Sequence, residues 1–152
     1  MIEVEVEEPA WTDDAPDGEV LAQAAAQAAL ARFGRDADVV ILLTDDAAVR
    51  ELNARFLGKE QPTNVLSFPA AGSAGRHLGD IALAYGVCTS EAREQGKTLA
   101  QHLQHLVAHG VLHLLGYDHD SDADTEVMED LERDILAGLG VPDPYKWTDR
   151  PG

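Results

Sequence analysis

Residues 38–43, DVVILL, form an unbroken apolar run. A strand with one wet face alternates apolar and polar side chains, whereas an uninterrupted apolar strand is covered on both faces, as in an α/β sheet. Such a strand needs helices beside it, and its neighbours supply them. Upstream, DGEVLAQAAAQAALARFG (17–34) is alanine-rich and closes on Gly34, the pattern of a helix with a glycine C-cap. Downstream, Thr44 or Asp45 caps a helix through Phe56 that Gly58 ends. At the start of the chain Ile2, Val4 and Val6 alternate with Glu3, Glu5 and Glu7, the period of a half-buried strand.

Two further strands are expected at NVLSFP (64–69) and HLGDIALA (77–84), separated by AAGSAGR, glycine-rich and read as a mobile loop. A short helix near 87–95 follows. Thr98 with Gln101 makes a capping-box pattern ahead of a helix over 99–115, and Ser121 with Asp124 precedes a last helix over 122–137. Pro142, Pro144 and Pro151 mark an irregular tail. The order β-α-β-α-β-β-α-α-α predicts parallel crossovers first and one antiparallel pair after them. The expected fold is therefore α/β (α+β): one domain over 1–152, a mixed four-stranded sheet with one antiparallel strand, and about five helices. A chain of 152 residues that is 45% hydrophobic suits a single core.

Composition excludes several classes. No apolar run reaches the roughly 20 residues that span a bilayer, and the acidic, alternating N-terminus has no signal-peptide character. Cys88 alone permits no internal disulfide, which suits the cytoplasm, and it reads as a small core residue. The net charge of −17 opposes unspecific nucleic-acid binding. That charge is uneven, however: Arg50, Arg55, Lys59, Arg76, Arg93 and Lys97 cluster in 50–97, so a locally basic face is expected there.

The chemistry concentrates in HGVLHLLGYDH, residues 109–119. His109 and His113 are one turn apart and project from one helix face. Gly116 breaks the helix, and the turn after it returns His119 toward the first two. Three imidazoles converging in this way suit one Zn²⁺ per chain, with a fourth position open, which marks a catalytic rather than a structural site. His102 and His105 share that helix stripe and read as surface groups or as residues behind the ligands. His77 has no evident partner.

The spacing H-x3-H-x5-H, glycine included, is that of the metzincin peptidases, whose general base is a glutamate directly after the first histidine. Here Gly110 stands at that position, with no side chain to take a proton, which disfavours a peptidase. Zinc can still lower the pKa of a bound water toward about 7 without a dedicated base. A phosphodiester would also gain from zinc at a non-bridging oxygen.

HGVLHLLGYDH closely resembles the signature of the YbeY family of rRNA-maturation endoribonucleases. LNARFLGKEQPTNVLSFP (52–69) and GDIALA (79–84) resemble two further blocks in the same order, so the likeness covers about residues 38–137. It implies a mixed four-stranded sheet with helices and a three-histidine metal site, at which metal-bound water or hydroxide is our expected reactive species. It further implies cleavage of single-stranded RNA, 16S rRNA 3′-end maturation and a part in ribosome quality control. The partners it implies are rRNA and the small ribosomal subunit with its proteins, with neither membrane nor DNA. One departure stands out: the family usually has Arg between the aromatic and the glycine, where this chain has Leu57 between Phe56 and Gly58. Leu57 cannot bind phosphate; Arg55 and Lys59 are the nearest substitutes, at different helix positions.

Other motif residues carry two readings each. Thr63, Asn64 and Ser67 line a cleft, or Asn64 orders the turn after Pro62. Asp80 sits near the metal or caps a turn, and Asp118 orients an imidazole or closes a surface turn. Val65, Leu66 and Phe68 are expected in the core. Two alternatives to the nuclease remain. One is a non-catalytic ribosome assembly factor with a structural metal, which Leu57 and the acidic charge favour; the other is a metallopeptidase.

Overall fold

The computed structural model describes residues 1–58, 63–70, 76–118 and 120–145. The strands are β1 (Ile2–Val6), β2 (Asp38–Thr44), β3 (Val65–Pro69) and β4 (His77–Ala84). Among these residues the helices are α1 (Ala10–Asp14), α2 (Gly18–Ala31), α3 (Asp46–Leu57), α4 (Tyr85–Gln95), α5 (Leu99–Leu114) and α6 (Asp122–Gly138). The sheet order is β1-β2-β4-β3; β1 and β4 run parallel to β2, and β3 runs antiparallel to β4. This is the expected mixed sheet. The loop expected at 70–76 falls largely outside the described residues.

One helix more is present than was expected. Pro9 and Trp11 seed the short α1, and Trp11 is 1% exposed, its indole N–H donating to the Thr44 carbonyl at 2.9 Å. No periodicity could announce a five-residue helix; tertiary burial of one aromatic makes it.

The sheet's two faces are unequal. Val39, Ile41 and Leu43 of β2 point with Ile81 and Leu83 of β4 into the main core under α2, α5 and α6. Leu42 and Ala82 point the other way, into a small cluster with Val49 of α3 and Leu66. DVVILL is thus covered on both faces, more thinly on the α3 side. Val65 is half-buried against the main core and Phe68 against the smaller cluster, and only Leu66 of the three is fully buried.

Caps follow the sequence closely. Asp45 accepts from the Ala48 amide and Gly58 takes φ 69° at the end of α3. Thr98 and Gln101 form the capping box of α5, and Ser121 accepts from the Asp124 amide ahead of α6. Helix α5 is buried along most of its length, which is the fact that positions the site. The alanine face of α2 (Ala22, Ala25, Ala26, Ala29, each 0% exposed) allows close approach on one side. On another side, Gly110 meets the sheet.

Candidate metal centre and cleft

A row of paired residues crosses the sheet beneath α5: Val4, Ile41, Ile81 and, on the outer strand β3, Ser67. Gly110 sits over the last two. A Cβ added there would lie 3.0 and 3.1 Å from Ile81 carbons and 3.1 Å from Ser67 Oγ, so the helix comes this close only because position 110 has no side chain. The Ser67 hydroxyl donates to the Gly110 carbonyl at 3.2 Å and ties the edge strand to the helix. Position 110 therefore faces the sheet.

One turn of helix around Gly110 presents His109 and His113 at the mouth of a cleft of about 380 Å³, lined also by Thr63, Asn64, Ser67 and Pro69. The two Nε2 atoms are 3.1 Å apart and the rings meet edge to face at 79°. Helix α5 ends where expected: Gly116 takes φ 103°, and the Tyr117 amide bonds back to the Leu112 carbonyl at 3.0 Å. Tyr117 then packs on Phe33 at the end of α2, ring centroids 5.5 Å apart. His119 and Lys59 lie outside the described residues, and among the described residues no three His, Cys, Asp or Glu side chains gather as a metal set.

The remaining expected residues separate. Ser67 and Asn64 line the cleft, and Asn64 also does what the turn reading required: its carbonyl accepts the Ala84 amide, and its Nδ2 donates to Glu91 at 3.0 Å. Asp80 falls in the opposite row, Glu3–Val40–Asp80–Phe68, so the sheet stands between it and the histidines. There it meets His77 at 2.9 Å, the partner that sequence reasoning had not found. Asp118 is exposed and accepts the Asp120 amide at 3.3 Å, a surface turn. Arg55 and Leu57 are exposed near the end of α3. Arg76 does not add to a basic face, because it is paired with Asp36 at 2.8 Å.

His102 and His105 depart from the surface reading: they are 2% and 8% exposed. His102 Nε2 meets Glu91 at 2.8 Å, and His105 Nε2 meets Glu132 at 2.7 Å. Burial lowers the His105 pKa, an effect Glu132 opposes without reversing, so the ring is neutral near pH 7. Burial alone would raise Glu132, yet hydrogen bonds from His105 and His109 outweigh it and hold the carboxyl down at about 2. Glu91 follows the same logic less strongly: burial raises it, and His102 and Asn64 bring it below its usual value. Burial pushes the Cys88 thiol up, and its side chain is core, as expected.

Sequence reasoning missed Glu91, Glu132 and Tyr145 as partners of the histidines. A signal for Glu132 exists: it stands among Met128, Ile135 and Leu136 on the buried stripe of α6, where an acid is out of place. The partner it serves is on another helix, and no spacing rule connects them.

Fold and cleft together define a class: a mixed-sheet α/β domain with a pair of imidazoles facing a cleft at its edge strand. The family model described as Endoribonuclease YbeY matches residues 6–140. A protein named Endoribonuclease YbeY from Bradyrhizobium diazoefficiens is 49% identical, with 100% of this chain and 87% of that protein covered. Its namesake from Chelativorans is 46% identical, with 95% and 99% covered. A solution structure of a Thermotoga maritima protein matches with a TM-score of 0.59 at 26% identity, covering 95% of each chain. The chain belongs to the endoribonuclease YbeY family.

Proposed function

We propose that this chain is a metal-dependent endoribonuclease of single-stranded RNA, with one zinc ion held by His109, His113 and His119. We further propose that it works in the cytoplasm with the small ribosomal subunit, in 16S rRNA 3′-end maturation and ribosome quality control. The observation that carries the metal reading is the 3.1 Å separation of the His109 and His113 Nε2 atoms. Two nitrogens bound to one tetrahedral zinc at about 2.0–2.1 Å stand roughly 3.3 Å apart, so the pair needs almost no movement to share an ion. Zinc, when bound, supplies a Lewis acid for a phosphate oxygen and lowers the pKa of a water.

The chain's own groups supply the rest. His109 and His113 act as neutral ligands. Asn64 and Ser67 shape the wall of the cleft, each already committed to a protein partner. Strand β3 contributes its outer edge. The bonds Ala84 N–H to Asn64 carbonyl and Ala70 N–H to Leu78 carbonyl place residues 64, 66, 68 and 70 in the ladder with β4. The amides of Val65 and Ser67 therefore point outward, as donors for the oxygens of an RNA backbone. Pro69 has no amide and ends that row. No helix among the described residues is long and apolar enough to cross a membrane.

The test is elemental analysis of tag-free protein, wild type and His113→Ala, joined to cleavage of an unstructured RNA with and without chelator. Near one zinc per chain, lost together with cleavage in the variant, is expected. Metal-loaded wild type that leaves RNA as intact as the variant does would overturn the nuclease. The exposed Leu57 and the net charge of −17 favour the second reading, a non-catalytic assembly factor with a structural metal. Under that reading, His113→Ala loses thermal stability while ribosome binding survives wherever the fold does.

A further inference from the structure

Four histidines of α5, at 102, 105, 109 and 113, follow one another by three, four and four residues, and so line one stripe of the helix. Two acids from neighbouring helices meet that stripe: Glu91 of α4 against His102, and Glu132 of α6 against both His105 and His109. Glu132 is 1% exposed. Its Oε1 is 2.7 Å from His105 Nε2 and 3.3 Å from His109 Nδ1. The Tyr145 hydroxyl lies 3.0 and 2.9 Å from its two oxygens. Tyr145 belongs to the segment after α6 and is itself held by Arg133, whose guanidinium lies 5.3 Å from the ring centre.

We propose that Glu132 is a positioning residue of the metal centre: it keeps the His109 proton on Nδ1, so that the Nε2 lone pair faces His113, and Tyr145 in turn holds Glu132 in place. This rests on the reading of His109 and His113 as metal ligands. An ionised carboxylate on the apolar stripe of α6 carries a desolvation cost that an apolar residue of similar size would avoid. What it provides is direction. Satisfying His105 alone would take one acceptor at 2.7 Å; the same oxygen also stands beside Nδ1 of the ring whose other nitrogen faces the cleft. A histidine ligand whose far nitrogen donates to a carboxylate is fixed in tautomer and orientation and made more basic. The Nδ1 atoms of His102 and His105 are buried without partners among the described residues. Each of those rings makes its polar contacts through Nε2, His102 with Glu91 and His105 with Glu132 and the Tyr145 hydroxyl. His109 differs in meeting its carboxylate through Nδ1, which leaves Nε2 for the cleft.

The experiment compares wild type with Glu132→Gln, Glu132→Leu and Tyr145→Phe. In metal-free protein, long-range proton–nitrogen correlation reads the His109 tautomer; competition with a chromophoric chelator reads zinc and cobalt affinity. Thermal unfolding monitors the fold. The expected result is a single Nδ1–H tautomer in wild type and a tautomer mixture in folded Glu132→Leu. Zinc binding should weaken roughly 10–100-fold in that variant, with Glu132→Gln in between. Tyr145→Phe should weaken zinc binding less, in the same direction. A folded Glu132→Leu with the wild-type tautomer and zinc constant overturns the proposal. If both Glu132 variants fail to fold, Tyr145→Phe decides, and wild-type values in it overturn the proposal as well. Metal loss in His113→Ala alongside unchanged position-132 variants defeats the positioning role only. Wild type that binds no zinc defeats the metal reading with it.

Discussion

Gly110 carries the residue-scale lesson. From spacing alone it is the place where a peptidase would have its base, and its lack of a side chain is a chemical exclusion. The structure adds a mechanical one: a Cβ there would meet Ile81 and Ser67 Oγ at 3.0–3.1 Å. Gly110→Ala sets a gain of about 1 kcal/mol in helix propensity against the strain of overpacking, so its sign is finely balanced. Gly110→Glu is not balanced, since it drives a carboxylate between helix and sheet with no partner. It is expected to lower unfolding free energy by about 3 kcal/mol or more in urea titration, with no caseinolytic activity gained. A stable, protein-cleaving Gly110→Glu would show that position 110 faces the histidine cleft after all.

At the scale of elements, the β3–β4 pair and the end of α5 approach one another closely at Gly79. A Cβ on Gly79 would lie 2.5 Å from the Phe68 carbonyl oxygen and 2.6 Å from a Leu114 methyl. The first of these is backbone of the paired strand and cannot swing aside. Gly79→Ala is therefore expected to cost about 2 kcal/mol or more and to loosen β3 from α5. Amide exchange of β3 should accelerate in the variant while β1 and β2 keep their protection. Uniform acceleration in all four strands would mean global destabilisation and no local separation. The ends of α3, α5 and α6 were legible to within one or two residues, because capping is local chemistry read from adjacent side chains. The partners of His102 and His105 were not, because α4 and α6 bring them from elsewhere in the chain. That of His77, three residues on in β4, was not because a three-residue spacing in a strand does not by itself announce a pair.

For the whole molecule, the buried histidine–carboxylate contacts join α4, α5 and α6, so acid should unfold the protein through them. His105 has a folded pKa below its ordinary 6.5, which means the unfolded chain binds that proton first. Its contribution is complete above about 6.5 and is lost as pH falls below that value. Glu91 has a folded pKa below 4.5, so its contribution is present above about 4.5 and is lost as pH falls further. Denaturation of metal-free protein between pH 8 and 4 should show stability falling from about pH 6.5 downward and steepening below 4.5. Glu91→Gln should lessen the steepening and leave the fall from pH 6.5 in place, because Glu132, held at about 2, still loses its contribution below 4.5. Stability that is flat, or that rises on acidification, would contradict both assignments.

What the sequence determined by itself is whatever has a period, a cap or a block. The uninterrupted DVVILL demanded a sheet with helices about it, the element order set three parallel or antiparallel pairings, and HGVLHLLGYDH put two imidazoles on one face of a helix. Tertiary structure decided what depends on distance between helices and on strand face. It put Asp80 across the sheet from the histidines and Ser67 beneath Gly110, because side chains alternate with strand register. It also brought Glu132, 23 residues along the chain from His109, within 3.3 Å of that imidazole. A buried carboxylate is stable only where several donors converge on it, and convergence from separate elements leaves no periodic trace along a chain.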